Sequence, residues 1–249
     1  MQVIGVIPAR WASTRLPGKS LVSLCGKPMI QRVVERAQSA RSLSAVIVAT
    51  DDARIADVVR GFGGEAVMTR ADHPSGTDRI AEAIGNRAAD LVVNIQGDEP
   101  LLDPALIDRL VARMREDADW DMGTAAAPIT DEADRLCPSV VKVVWGACHQ
   151  ALYFSRSVIP FIRDASDSGM SGLYWRHLGL YAYRAEFLRR LVAAPPCALE
   201  LAEKLEQLRA LHLGARMVVI ETEETGIGVD TPADVERVES MIREMEKDG

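Results

Sequence analysis

The sequence predicts an α/β protein: a mostly parallel sheet covered by helices, with an irregular α+β insertion in its second half. Three observations lead there. VIGVI, AVIVA and LVVNI are short apolar runs without alternation, the pattern of strands buried on both faces. Between them lie stretches with apolar residues at helical spacing. The strand ends run into polar loops, the place where open parallel sheets hold ligands.

Taken in order, Val3–Ile7 reads as the first strand. Met29–Ala40 places Met29, Ile30, Val33, Val34 and Ala37 on one helical face. Ala45–Ala49 is a β-branched run that ends at Thr50, Asp51 and Asp52. Ile55–Phe62 is helical and stops at Gly63-Gly64. Glu65–Met68 is a short strand, Thr77–Asn86 a helix, and Leu91–Ile95 another buried strand leading into QGDEP. Pro104–Arg115 is a helix with Asp103 as its N-cap and proline at its first position.

The second half is less regular. Val140–Trp145 and Ala151–Ser155 read as strands joined near Gly146, and Leu178–Tyr183 as a short strand. Positions 163–172, rich in Ser, Gly and Asp, read as a mobile surface loop. Leu199–Leu213 reads as one helix and Met217–Glu221 as a strand. A final helix follows, with Thr231 as N-cap, Pro232 at the first position and Asp234 at the third. No repeat or linker divides the chain, so residues 1–249 are expected to form a single domain.

Composition narrows the function. A net charge of −7 argues against a nucleic-acid partner, which needs a basic footprint. No apolar run approaches the roughly 20 residues of a membrane helix. The opening MQVIGVIPAR lacks a basic leader, so the cytoplasm is the expected compartment. Cys25, Cys137, Cys148 and Cys197 show no metal-site spacing and read as thiols in a reducing environment.

Against that acidic background, PARWASTRLPGKSL concentrates Arg10, Arg15 and Lys19 among small and turn-forming residues, Ser13 among them. Such a loop can wrap backbone N–H groups around an anion while its cations supply charge, which suits a polyphosphate. Neither the P-loop nor the dinucleotide fingerprint is present. QGDEP places Gln96, Asp98 and Glu99 after a buried strand, where carboxylates can hold a hard cation such as Mg²⁺. The glycine before Asp98 has no packing purpose visible in the sequence. Asp230, in GVDTP, could share that cation or merely cap the helix behind it. Ser75 and Arg79 could cap the helix beside them or read a nucleobase edge. His177 alternates with Tyr181 and Tyr183 along a strand, and with Arg156 they make a polar surface suited to a hydroxylated acidic ligand.

Several stretches together resemble the 3-deoxy-manno-octulosonate (Kdo) cytidylyltransferases, or CMP-Kdo synthetases, from about residue 3 to 240. They are IPARWASTRLPGKSL, ATDD, MTRADHPSGTDR, VNIQGDEPL, VVKVV, ALYFSR, RHLGLYAYR, LEQLR and GVDTP. The opening loop marks the wider nucleotidyltransferase group; HLGLYAYR and LEQLR are more specific to the Kdo branch.

The resemblance implies a Rossmann-like nucleotidyltransferase fold. It implies transfer of CMP from CTP to the anomeric hydroxyl of Kdo, for lipopolysaccharide biosynthesis. It places Arg10, Ser13, Arg15 and Lys19 on the triphosphate, Ser75 and Arg79 at cytosine, and Gln96 beside both nucleotide and sugar. Arg10, Lys19 and Asp98 become the catalytic group, and Asp98 and Asp230 the Mg²⁺ ligands. Arg156, His177, Tyr181, Glu206 and Gln207 would surround the sugar. A homodimer is expected, with residues 140–215 forming the acceptor and dimerisation subregion. Ala182 departs from the family's usual glycine, and 163–172 departs in detail; both bear on the sugar side. The alternatives are another ulosonic acceptor, amino-Kdo or of the sialic-acid type, or a nucleotide sensor without catalysis.

Overall fold

In the computed structural model, which describes residues 1–12, 16–163, 172–223 and 226–247, the apolar runs form the strands their composition predicts. The chain makes two compact units, Met1–Asp108 with Gly226–Gly249, and Arg109–Thr225. Among the described residues no helix is long and apolar enough to cross a membrane. The four cysteines are free thiols.

The first unit begins with β1 (Val3–Ala9), then a hairpin of β2 (Ser23–Leu24) and β3 (Lys27–Pro28), and α1 (Met29–Gln38). It continues with β4 (Ala45–Thr50), α2 (Ala53–Gly61), β5 (Glu65–Met68), α3 (Gly76–Ile84) and β6 (Leu91–Asn94). Its strands lie in the order β6-β1-β4-β5, all parallel, with Val3 opposite Leu91, Ile4 opposite Ala45 and Ile47 opposite Glu65. Val3, Val6, Ile7, Ile47, Leu91, Val92 and Val93 are buried, as a doubly covered sheet requires. The order reverses beside β1: successive strands run outward on one side, and β6 returns to the other. Such a switch point opens a crevice at the carboxyl ends of the two strands that flank it. The basic loop after β1 and the QGDEP loop after β6 both start there.

The chain passes between units within α4 (Pro104–Glu116), whose start is capped by the Asp103 carboxylate accepting from the Ala105 N–H at 3.1 Å. The second unit holds β7 (Met122–Pro128), α5 (Glu132–Leu136), β8 (Lys142–Trp145), β9 (Ala151–Ser155) and β10 (Trp175–Arg184). Then come α6 (Ala185–Ala193), α7 (Ala198–Glu203), α8 (Gln207–His212) and β11 (Met217–Glu221). β7 pairs parallel with β11 and antiparallel with β10; β8 pairs antiparallel with β10 and with β9. This is the irregular α+β half that the sequence predicts.

Three differences from the sequence reading have physical causes. The sequence analysis assigns no strand to MGTAAAP, yet β7 is central to this unit. It must be thin: a Cβ on Gly123 would stand 2.9 Å from Leu110 and 3.1 Å from Met114 and Val218. The predicted single helix Leu199–Leu213 is instead two short helices. Lys204 turns into the left-handed region at φ 54°, and the Arg156 guanidinium binds the carbonyls of Glu203, at 2.7 Å, and Lys204 that the break leaves open. β10 runs ten residues and carries a bulge, since Leu178 faces Ala125 while Tyr181 faces Thr124.

The loop predicted at 163–172 lies, apart from its two ends, outside the described residues. The chain returns to the first unit with α9 (Pro232–Met245). Its Val238 and Ile242 pack with Leu24 of the hairpin, Met29 of α1 and Val229 in a buried cluster.

Candidate functional site

The described parts of the basic loop are held at its base. Gly18 sits at φ +67°, and a Cβ there would stand 3.0 Å from the Trp11 ring, so glycine meets both demands. The Arg54 guanidinium lies 3.3 Å from the centre of the same ring. A single 3-10 turn, Lys19–Leu21, starts directly after Gly18. Arg10 is exposed at the end of β1; Ser13 and Arg15 lie outside the described residues.

Lys19 is the centre of the arrangement. Its Nζ donates to Asp98 Oδ2 at 2.5 Å and to Asp230 Oδ1 at 3.0 Å. Three distant stretches, the basic loop, QGDEP and GVDTP, therefore meet at one ammonium group. Burial works to lower the Lys19 pKa, but Asp98 and then Asp230 overcome it and hold the pKa above its ordinary value.

Gly97 does have a packing role. A Cβ there would come within 3.0 Å of the Pro8 carbonyl, so glycine lets the QGDEP loop close against the end of β1. Behind Asp98, burial and then the Asp98 charge push Glu99 up to about 7. Gln96 is partly buried on the same loop.

The structure also separates the two readings of Asp230. Thr231 caps α9 by accepting from the Asp234 N–H at 3.3 Å. Asp234 accepts in return from the Asp230 and Thr231 N–H groups at 3.1 and 2.8 Å. The cap uses the Asp230 backbone, and the Asp230 carboxylate accepts from Lys19.

The donor set fits a hard divalent cation. Two carboxylate oxygens already hold an ammonium between them, and Mg²⁺ takes one or two carboxylates, completing its shell with phosphate oxygens and water. Among the described residues no group of three or more His, Cys, Asp and Glu side chains could hold a metal ion. Asp98 and Asp230 leave most of a Mg²⁺ shell to other oxygens.

Ser75 and Arg79 sit on α3. The Ser75 hydroxyl caps the helix, accepting from the Asp78 N–H at 3.2 Å and donating to the Asp78 carboxylate at 2.7 Å. Arg79 is buried and donates to Asp51 at 2.9 Å and Thr69 at 2.6 Å. Asp51 and Thr69, which the sequence reading did not select, lie just past the ends of β4 and β5.

Of the residues expected around a sugar, Arg156, His177, Tyr181, Glu206 and Gln207 belong to the second unit and Gln96 to the first. The His177 and Tyr181 rings lie 5.2 Å apart, Tyr181 and Tyr183 5.9 Å, and Phe154 meets His177 edge-on at 5.0 Å. The β10 bulge falls between Leu178 and Tyr181, and the Thr124 hydroxyl, which has one proton to donate, lies 3.2 and 2.9 Å from the Leu178 and Leu180 carbonyls. His177 Nε2 lies 3.1 Å from the same hydroxyl oxygen. Thr124 was not visible in the sequence, because β7 was not.

Burial pushes the Tyr181 pKa well above its ordinary value, with Tyr183 and then Glu206 adding to it. Glu206 stands at the entry to α8, and Gln207 is buried as its first residue. Arg156 donates from its backbone N–H to Glu203 at 2.9 Å and from its guanidinium to Pro138 at 3.0 Å, besides closing the helix break.

Burial lowers His177 to about 3. Its folded pKa therefore lies below the unfolded value of about 6.5, and the unfolded state binds the extra proton. Stability from this source is complete above about pH 6.5 and falls as pH drops toward 3. At pH 4.5 the loss is about 2–3 kcal/mol. Urea unfolding of the protein and of His177→Gln at pH 7.5 and 4.5 checks this: the variant should lose less stability by that amount. Equal losses in the two proteins would show that His177 is not held neutral.

The comparisons with known proteins extend these observations. The sequence model of a family described as cytidylyltransferase matches residues 4–219. A 3-deoxy-manno-octulosonate cytidylyltransferase of Geobacter sulfurreducens is 53% identical, covering 98% of this chain and 100% of that one. One from Syntrophotalea carbinolica is 51% identical over 98% of this chain and 99% of its own. Among solved structures, a CMP:2-keto-3-deoxy-manno-octonic acid synthetase complexed with CTP superposes with a TM-score of 0.93 at 44% identity. It covers 98% of this chain and 100% of its own.

Proposed function

The chain belongs to the 3-deoxy-manno-octulosonate cytidylyltransferase family, and from that membership we propose that it transfers CMP from CTP to Kdo, releasing pyrophosphate. The observation that carries this reading is the meeting of Lys19 with Asp98 and Asp230 at the switch point of a parallel sheet.

The anomeric hydroxyl of Kdo attacks the α-phosphorus of CTP: its oxygen gains the bond to CMP, its proton passes to solvent, the bond from the α-phosphorus to the bridging oxygen breaks, and pyrophosphate departs. Such transfers need alignment and neutralised charge more than covalent help. Arg10, Ser13, Arg15 and Lys19 hold the triphosphate, and Lys19 offsets charge on the leaving group. Asp98 and Asp230 would hold Mg²⁺, which when bound would supply positive charge against the phosphates. Ser75 and Arg79 border the cytosine, Ser75 as the helix cap and Arg79 through the Asp51 and Thr69 groups it fixes. Gln96 lies between nucleotide and sugar.

In the second unit His177, Tyr181, Glu206 and Gln207 receive the hydroxyls of Kdo. Arg156 braces the α7–α8 break that presents Glu206, and its charge favours the acceptor's carboxylate. Residues 140–215 form the acceptor and dimerisation subregion of a cytoplasmic homodimer serving lipopolysaccharide biosynthesis.

Pyrophosphate release from CTP and Mg²⁺, with Kdo, amino-Kdo and a sialic acid as separate acceptors, tests the assignment. Release should depend on Kdo. Release driven by sialic acid and not by Kdo would move the protein to another acceptor. No release with any acceptor, despite CTP binding, would favour a nucleotide sensor.

A further inference from the structure

Where the structure places it, Lys19 spends two of its three N–H donors on Asp98 and Asp230, which leaves one for a triphosphate. Its ammonium is bound by both carboxylates assigned to the metal, at 2.5 and 3.0 Å, and its side chain is only 17% accessible. We propose that Lys19 is a resident counter-cation: it occupies the place of the metal in the free enzyme and crosses to the phosphates when metal and CTP arrive together. This rests on the assignment of Asp98 and Asp230 as metal ligands.

Charge accounting supports the exchange. In the free enzyme Asp98 and Asp230 contribute two negative charges and Lys19 one positive. Two carboxylates this close repel each other, and the ammonium offsets most of that. A divalent ion balances the pair completely and leaves the ammonium without its counter-charges. A triphosphate then supplies both the oxygens that complete the metal's shell and a new anionic partner for Lys19. Each ligand removes what the other would otherwise compete against, so the two bind cooperatively. Metal alone must displace Lys19 with nothing to receive it, and binds weakly.

The hairpin and α9 make the exchange local. Lys19 lies in a single 3-10 turn, and Leu24 of the neighbouring β2 packs with α9 in the cluster that also holds Val229, next to Asp230. The Val229 N–H also donates to the Asp98 carbonyl at 2.9 Å, which fastens the backbone of both carboxylates, while the flexible stem of one lysine has to move.

The test is metal binding without turnover, with Mn²⁺ followed by its paramagnetic resonance signal. Without nucleotide, Lys19→Met should bind Mn²⁺ at least ten-fold more tightly than the natural protein, while Lys19→Arg should bind it as weakly as the natural protein. Equal affinity of Lys19→Met and the natural protein would overturn the exchange and leave the ligand assignment standing. The ligand assignment itself fails if Asp98→Asn, with CTP present, binds Mn²⁺ as well as the natural protein. A measurement on the unaltered chain guards against a Lys19→Met variant that does not fold. Modification of the Lys19 amine by an acylating reagent should speed up several-fold when Mg²⁺ is added alone at high concentration. No change in that rate at Mg²⁺ levels that occupy the site would also overturn the exchange.

Discussion

Asp98→Asn should lower turnover by about 10²–10³-fold, comparable to removing one preorganised electrostatic group from an active site. The substitution keeps the side chain's shape and takes away its charge. Asp98 loses its hold on the metal, and Lys19 is left with Asp230 as its remaining carboxylate partner at the site. The fold should tolerate the change. The Lys19 and Asp98 side chains are 17% and 29% accessible, so the pair is partly buried, but Lys19 keeps Asp230 and the loss should stay at about 1–2 kcal/mol. Asp230→Asn should behave alike, because Thr231 and Asp234 cap α9 without its carboxylate. Pyrophosphate release at saturating CTP and Kdo, together with thermal melting, separates the two roles. If Asp230→Asn lowers the melting temperature while turnover stays normal, its carboxylate serves the helix and not the metal.

The largest loss of stability is expected in the second unit, at Glu200 and Arg209. Both are buried. Arg209 grips the Glu200 carboxylate with two groups, Nε at 2.7 Å and Nη2, and its Nη1 donates to the Ala194 carbonyl at 3.2 Å. The pair ties α7 to α8 across the break at Lys204 and reaches back to the end of α6. Arg209→Ala leaves a carboxylate buried without its main partner, and Glu200→Ala does the same to a guanidinium. Either should cost roughly 3–5 kcal/mol. The double variant Glu200→Leu/Arg209→Met, which buries no charge, should be more stable than either single one. Urea unfolding checks both statements. Single variants within about 1 kcal/mol of the natural protein would mean that the pair is solvated in solution and holds nothing.

Legibility in the sequence followed the chemistry of each segment. VIGVI, AVIVA and LVVNI stood out because strands covered on both faces must be apolar and β-branched. MGTAAAP did not, because its residues are small for the sake of α4 and β11, and smallness carries no strand signal. Leu199–Leu213 has helical spacing throughout; the break at Lys204 depends on Arg156, which is distant in sequence and meets it only in the fold. Lys19, Asp98 and Asp230 were legible as types and as a family pattern. Their meeting was not, since it depends on strand order and on α9 returning to the first unit. The sequence leaves Arg79 between a capping turn and a nucleobase contact; its partners Asp51 and Thr69 come from two other strand ends and meet it only in the fold.

The division of the chain has a bearing on how the protein is made. The first unit is written in two pieces, Met1–Asp108 and Gly226–Gly249, with residues 109–225 between them. On a ribosome the sheet of β1, β4, β5 and β6 emerges early, whereas Asp230 and α9 emerge only after the whole second unit. Until then Leu24 and Met29 lack the helix that covers them, and Lys19 has Asp98 without its second carboxylate. Bringing the two pieces together closes a loop whose entropic cost, by the logarithmic dependence on length, is roughly 4 kcal/mol for a flexible chain. Folding the second unit first shortens that loop, so an ordered birth, inner segment before outer closure, is the economical route. A nascent chain stalled before Gly226 would carry the basic loop and one carboxylate and have no complete site, which delays catalysis until the segment that carries Asp230 has been made.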